Sequence, residues 1–313
     1  MALRSLYDVA APAKLNLFLH VVGRRSDGYH LLQSVFVLID WSDILHFECR
    51  DDRTLARHDL GAALPADDLC LRAARALQEQ GGVTQGADIS IDKRIPWGAG
   101  LGGGSSNAAS VLLALNRLWG LRWPRERLLR LGLGIGADVP FFVGGHNAFV
   151  EGAGERLTPL AIPAQWFAVL KPEAGLRTAA VFAHPLLERD SQAVIVEGFP
   201  GSAPQGTQGS AESGPVRPGP EGQWDIAGLL GGFGRNDLQR AAQAQCGDVA
   251  RAAGVLEAIF GNSRMTGSGS AVFARAGPDA QPTAALPAAL PAGWVGRMCR
   301  SLEHHPLWGW AND

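Results

Sequence analysis

The sequence predicts an α+β fold, and three observations carry that expectation. Residues 87–94 (ADISIDKR) read as a strand that feeds a glycine-rich loop, after which Ala108 to Trp119 is apolar on most sides and reads as a buried helix. A second β-like run opens the chain from Leu6 to Gly23, where Leu15, Leu17 and Leu19 alternate with Asn16, Phe18 and His20. The 313 residues, 46% hydrophobic and 19% charged, supply one large or two medium domains with a substantial core.

A net charge of −2 gives no reason to expect nucleic acid or an anionic membrane as partner, so any basic site must be local. The cysteines Cys49, Cys70, Cys246 and Cys299 lie far apart, with no CxxC and no histidine at zinc spacing, and read as thiols of a reducing compartment. The opening MALRSLYDVA has no charged region followed by an apolar run, and no stretch approaches the ~18 apolar residues of a membrane span. A cytoplasmic protein acting on a small molecule is the expectation.

Ile95 to Ser110 (IPWGAGLGGGSSNAAS) organises the rest. Gly98, Gly100, Gly102, Gly103 and Gly104 remove the Cβ atoms that would keep a ligand off the backbone, and Ser105 and Ser106 stand where a helix is expected to begin. Free N–H groups and the positive end of the helix dipole then face one space, which suits a phosphate. The Walker pattern fails because Ser105, not lysine, follows Gly104. Gly98, Gly100 and Gly103 satisfy GxGxxG, but Leu121-Arg-Trp-Pro follows the helix in place of the strand a dinucleotide fold requires. The bland alternative is a glycine turn without a ligand.

The other elements follow in order. The opening run is expected as two strands broken at Pro12, and Lys14 by itself reads equally well as an edge-strand lysine facing solvent. Arg24 to His30 is a turn pivoting on Asp27-Gly28, with Tyr29 and His30 after it. Ile44 to Cys49 reads as a strand, and Asp67 or Asp68 caps a helix running to about Gln80. Pro124 opens a further helix. Asp138, set in GADVPFF among apolar neighbours, is either a helix N-cap or a carboxylate that needs a partner. His146 to Glu151 and Trp166 to Lys171 read as strands, Gly152 to Glu155 as a turn, and Thr178 to His184 as a short helix. Pro200 to Gly222 is Gly, Pro, Ser and Gln with almost no apolar residue and is expected to be a disordered insertion. Asn236 to Gln245 and Val249 to Phe260 read as helices, and Arg264 to Ser270 as a glycine turn before a strand. Trp308 and Trp310 have no assignment.

Pro96-x-x-x-Gly-Leu-Gly-Gly-Gly-Ser-Ser106 resembles the central motif of the GHMP kinases, small-molecule kinases whose ATP loop is neither Walker nor protein-kinase type. Pro12 to Phe36 (PAKLNLFLHVVGRRSDGYHLLQSVF) resembles the opening of the branch acting on 4-diphosphocytidyl-2-C-methyl-D-erythritol, and RMTGSGS resembles its third motif. The resemblance implies a two-domain GHMP kinase fold, roughly residues 1–160 and 161–313, with the active site in the cleft between the domains. It implies that Lys14 and Asp138 are the catalytic pair. ATP would lie along Pro96, Trp97, Gly98, Ala99, Gly100, Leu101, Gly102, Gly103, Gly104, Ser105 and Ser106. Asn16, Tyr29, His30, Phe182, Gly267 and Ser268 would meet the substrate, the aromatic residues around its cytosine. The reaction implied is transfer of the ATP γ-phosphoryl group to the substrate's 2-hydroxyl, a step of the non-mevalonate route to isoprenoids. Mg²⁺ is expected with ATP, supported by a loop serine and water because no acidic ligand stands out. Asp68 departs from the asparagine usual in the family, near the adenine end of the nucleotide. The alternatives are a homoserine- or mevalonate-type kinase sharing the loop, and a nucleotide-binding protein without transferase activity.

Overall fold

The computed structural model describes residues 3–65, 68–194 and 225–312. The fold is α+β, with helices packed on two separate antiparallel-rich sheets. Strands β1 (Ser5–Arg24) and β2 (His30–Arg50) form a long hairpin, joined by β3 (Leu55–Asp59), β4 (Gly86–Asp92), β5 (Ala148–Gly152) and β6 (Arg156–Pro159) in the order β3-β4-β2-β5-β6, with β1 on β2. The second sheet has the order β10-β7-β9-β8, from β7 (Gln165–Lys171), β8 (Arg264–Met265), β9 (Val272–Pro278) and β10 (Val295–Arg300).

Helices α1 (Leu69–Gly81), α2 (Gly103–Leu118), α3 (Arg125–Leu133) and α4 (Val139–Gly144) cover one face of the first sheet. Leu77, Leu112, Leu115, Leu128 and Phe141 meet Leu38, Phe47 and Ile89 there, all fully buried. Against the second sheet lie α7 (Gln239–Gln245) and α8 (Gly247–Phe260), through Ala241, Ala242, Val249 and Leu256. A third cluster joins the halves, with Leu15, Val37 and Ile39 of the hairpin against Phe167, Val169 and Phe273. Between α4 and α8 in sequence come α5 (Thr178–Ala183) and α6 (Ile226–Leu230).

Several local expectations change. Pro12 does not break the opening strand: β1 runs through it, and the register slips by a bulge between Pro12 and Ala13 and again between Asn16 and Leu19. Packed cores cover both faces of the strand, the helical one through Val9 and Ala11 and the one joining the halves through Ala13 and Leu15, so Lys14 is buried, not an edge residue facing solvent. The phosphate-loop helix begins at Gly103, two residues before Ser105, because Gly102 adopts the left-handed cap conformation (φ 72°). Asn236 precedes its helix, which starts at Gln239. Asp68 does cap α1, accepting from the Leu71 amide, while Asp67 and the Pro200 to Gly222 stretch lie outside the described residues.

The two tryptophans left unassigned sit in a C-terminal tail that returns to the first half of the chain. Arg125, buried at the start of α3, donates to the carbonyls of Val143 (2.8 Å), Trp308 (2.6 Å) and Ala311 (3.0 Å). Leu307 and Ala311 thereby join the first core. His305 is buried beside them, and its Nδ1 accepts from the Leu307 amide at 3.1 Å. Burial, with the Arg125 charge adding to it, pushes the His305 imidazole down to about 3. Below the ordinary value of 6.5 the unfolded chain takes a proton that the folded chain refuses until about pH 3. Stability therefore falls as pH drops through that window, by up to about 1.4 kcal/mol per pH unit from this group. Urea midpoints measured from pH 7 to pH 4 are expected to flatten in His305→Gln relative to the wild type; parallel curves would remove His305 as the acid-sensitive group.

Candidate active site

Lys14 is 3% exposed and its ammonium is held from three sides. Nζ donates to Asn16 Oδ1 at 2.6 Å, lies 4.4 Å from the centroid of the Phe36 ring, and stands 3.8 Å from Asp138 Oδ2. Burial lowers the Lys14 pKa, and the Asp138 carboxylate opposes that shift. At 3.8 Å the ion pair is too long for a direct hydrogen bond, and the two groups are close enough for one oxygen set beside the pair to reach both. Asp138 occupies the N-cap position of α4, yet its side chain makes no capping bond. It lines the cleft with a side chain 31% exposed, so the carboxylate faces the cleft and does not close the helix.

Asn16 connects Lys14 to the third motif. Its Oδ1 accepts from the Gly267 amide (2.8 Å) and Thr266 Oγ1 (3.1 Å), and its Nδ2 donates to Ser34 Oγ (3.0 Å). The glycine loop meets the same turn through backbone: Ser270 N donates to Gly98 O and Ala271 N to Ala99 O. A Cβ on Gly267 would lie 2.7 Å from the Gly100 carbonyl oxygen, at a φ of 55° that side chains rarely adopt, so glycine is required here by contact and by conformation. Lys14 N in turn donates to Leu101 O at 2.9 Å. Strand β1, the glycine loop and the 266–271 turn are thus one backbone assembly.

The entry to the loop is anchored by a buried ion pair that sequence reading did not find. Asp43, fully buried, accepts from Lys93 Nζ and from the amides of Arg94 (2.8 Å) and Ile95 (2.7 Å). Lys93 also donates to Asn107 Oδ1 on α2 at 3.2 Å. An aspartate inside a strand carries no pattern that marks it as the loop's anchor. The same holds for Ser34 and for Asn236, whose amide donates to Met265 O and Gly267 O, both at 2.8 Å.

These elements wall a cleft of about 860 Å³, within the usual range of a small-molecule site. Gly98, Gly100, Gly102 and Ser105 line it, whereas Ala99, Leu101 and Ser106 are buried beneath it. Gly103 and Gly104 form the first turn of α2, Pro96 is half-buried at the loop entry, and Trp97 is exposed. The dipole end of α2 and its first amides face the Ser105 side. Asp68 is committed to capping α1 and to an ion pair with Arg57, so it is a structural anchor in this chain.

At the far end stand Arg24, Tyr29, His30 and Phe182. The His30 and Phe182 rings stack on each other, centroids 4.9 Å apart and planes within 28°. Phe182 thus has one face covered by His30, while Tyr29 stands 63% exposed at the rim. Burial and the charges of Arg189 and Arg24 lower the His30 pKa, favouring the neutral ring, and Nε2 is buried without a hydrogen-bond partner among the described residues. Gly267 and Ser268 border the cleft opposite, with Ser268 Oγ 2.8 Å from Thr178 Oγ1. The structure brings Lys14, Asn16, Tyr29, His30, Asp138, Phe182, Gly267 and Ser268 to one cleft.

Comparison with known proteins agrees with this geometry. A sequence model of the GHMP kinases N terminal domain matches residues 68–146. The chain is 59% identical to a 4-diphosphocytidyl-2-C-methyl-D-erythritol kinase of Methylibium petroleiphilum, over 99% of this chain and 100% of that one. It is 50% identical to the kinase of the same name from Albidiferax ferrireducens, over 99% and 96%. Among solved structures, a 4-(cytidine 5'-diphospho)-2C-methyl-D-erythritol kinase superposes with a TM-score of 0.67 at 33% identity, covering 86% of this chain and 90% of that one. A homoserine kinase from Cytophaga hutchinsonii shares the fold alone, with a TM-score of 0.63 at 16% identity over 96% of each chain. With a buried lysine facing a half-buried aspartate over a glycine loop, and with relatives matched end to end, the chain belongs to the 4-diphosphocytidyl-2-C-methyl-D-erythritol kinase family of GHMP kinases, enzymes that transfer phosphate to a hydroxyl group.

Proposed function

We propose that this chain transfers the γ-phosphoryl group of ATP to the 2-hydroxyl of 4-diphosphocytidyl-2-C-methyl-D-erythritol, in the non-mevalonate route to isoprenoids, and works in the cytoplasm. The observation that carries the reading is Lys14 Nζ 3.8 Å from Asp138 Oδ2, midway along a cleft with a glycine loop on one wall and a stacked His30–Phe182 pair at its end. No helix among the described residues is long and apolar enough to cross a membrane.

Phosphoryl transfer asks a protein mainly for positioning and charge stabilisation. The α2 amides and the Gly98–Gly102 backbone hold the phosphates, with no side chain between backbone and ligand at the glycines. Asp138 accepts the proton of the substrate hydroxyl as its oxygen bonds to the γ-phosphorus, and the bond from that phosphorus to the bridging oxygen breaks to leave ADP. Lys14, fixed by Asn16, polarises the hydroxyl and faces the charge on the transferring group.

Mg²⁺ with the nucleotide fits the oxygen donors on the wall, the Ser105 hydroxyl and the Asp138 carboxylate. Among the described residues no group of three or more His, Cys, Asp or Glu forms a metal cage, so phosphates and water would complete the shell. Bound there, the ion neutralises phosphate charge.

The cytosine end uses the neutral His30 ring and the Tyr29 face, with Arg24 beside them for the diphosphate. Homoserine and mevalonate carry no ring to use that end. With ATP and Mg²⁺, a panel of the cytidine diphosphate substrate, homoserine and mevalonate is expected to release ADP only with the first; preference for either other compound would overturn the reading.

Asp138→Asn is expected to reduce ADP release by roughly 10²-fold or more, the scale of a positioned base, with little change in melting temperature. Near-normal turnover would remove Asp138 from the mechanism. Tyr29→Ala is expected to weaken binding of the cytidine substrate by about 1–3 kcal/mol, by analogy with bases stacked on aromatic rings, and to leave the KM for ATP nearly unchanged. Equal effects on both KM values would place Tyr29 elsewhere in the reaction.

A further inference from the structure

Lys171, the last residue of β7, is a buried cation whose ammonium is held by backbone carbonyls. It is 6% exposed, and among the described residues its ammonium forms no ion pair. Its three donors go to three successive backbone carbonyls: Pro172 O at 2.6 Å, Glu173 O at 2.9 Å and Ala174 O at 3.1 Å. An ammonium has three N–H groups, so the set is complete. Burying an unpaired charge is costly, and three carbonyl dipoles converging on it offset that cost as they do for a bound monovalent cation. Remove the charge and three carbonyl oxygens point at one another across an apolar gap.

The strap that these carbonyls belong to reaches the cleft. Ala174 O accepts a second bond, from Ser270 Oγ at 2.5 Å, which ties the strap to the third motif. Gly175 lies along Gly98 of the glycine loop, its Cα 3.9 Å from the place a Gly98 Cβ would take. The next residues, Leu176 and Thr178, line the cleft, and Thr178 Oγ1 meets Ser268 Oγ. Helix α5 then carries Phe182 to His30. The path from Lys171 to the cytosine end is six residues of irregular backbone and one short helix.

We infer that Lys171 is a positioning residue for this reaction, a built-in cation around which the Pro172–Ala174 carbonyls are wrapped so that Leu176, Thr178 and Phe182 stand at fixed places on the substrate wall. It touches neither nucleotide nor substrate. Burial lowers its pKa, and the more distant charges of Cys246 and Glu173 oppose that shift. The kinetic consequence rests on the substrate reading above; the structural consequence, order of the strap, does not.

Amide hydrogen exchange over residues 180–184, where the Ala180 and Val181 amides of α5 donate to Arg177 O at the end of the strap, followed by mass spectrometry beside steady-state kinetics, separates the two. Lys171→Met keeps the stem and removes the charge. It is expected to raise exchange in 180–184 about ten-fold or more while β7 and β9 stay protected, and to raise the KM for the cytidine substrate roughly ten-fold with kcat within about three-fold, the scale of losing one buried charged hydrogen-bond donor. Lys171→Ala leaves room for a small cation, so ammonium chloride is expected to restore protection and KM where tetramethylammonium chloride does not. Wild-type exchange in Lys171→Met, exchange rising equally in β7 and β9, or equal response of Lys171→Ala to the two salts would each overturn the inference. Should the intact enzyme reject the cytidine substrate, the functional reading fails while the exchange result still decides the role of Lys171.

Discussion

The backbone of Gly100 and the backbone of Thr266 and Gly267 pass so close that no side chain fits between them, and the site depends on that contact. It joins the glycine loop, which belongs with the first sheet, to the turn that opens β9 of the second. Asn16 bridges the same junction from β1, with Thr266 and Gly267 on one side and Lys14 on the other. The phosphate wall, the ammonium and the substrate wall are therefore positioned by one set of short backbone approaches, rigid because glycine backbone and buried amides have no alternative partners there.

Buried charge is used in three different ways around this junction. Lys14 is desolvated but faces Asp138 at a separation beyond direct hydrogen bonding, on the wall of the cleft. Asp43 and Lys93 form a closed pair, with Asp43 Oδ2 on the ammonium and Oδ1 on two backbone amides, which makes them an anchor without chemistry. Lys171 gives its three N–H groups to backbone carbonyls. The contrast follows from geometry: a partner in contact neutralises a charge, a partner at arm's length leaves it available, and dipoles hold it in place.

Much of the local structure was legible from residue order. The strand before the glycine loop, the helix after it, the Asp68 cap, the Arg24 to His30 turn and the short helix at Thr178 all follow from spacing and capping chemistry. The misreadings share a cause. Pro12 was expected to break a strand, and instead two bulges carry β1 past it, because its pairing with β2 keeps the strand continuous. Ser105 was expected to begin α2, and Gly102, with a positive φ that only the folded loop reveals, begins it earlier. Asn236 was read as helical, but its amide is taken by Met265 O and Gly267 O from a distant turn.

By itself the sequence determined that a strand, a glycine loop with two serines and a helix follow one another, and that Asp138 is a charge among apolar neighbours, while Lys14 read equally well as facing solvent. Those are local facts, written in steric freedom, periodicity and neighbouring residues. Only the tertiary structure decided that Lys14 is buried between two cores and set 3.8 Å from Asp138, that His30 covers a face of Phe182, that Asp43 and Asn236 brace the loop and the turn, and that Lys171 is ringed by carbonyls. Each of those outcomes turns on a contact between segments far apart in the chain or on the path of irregular backbone, and neither has a period or a spacing to read.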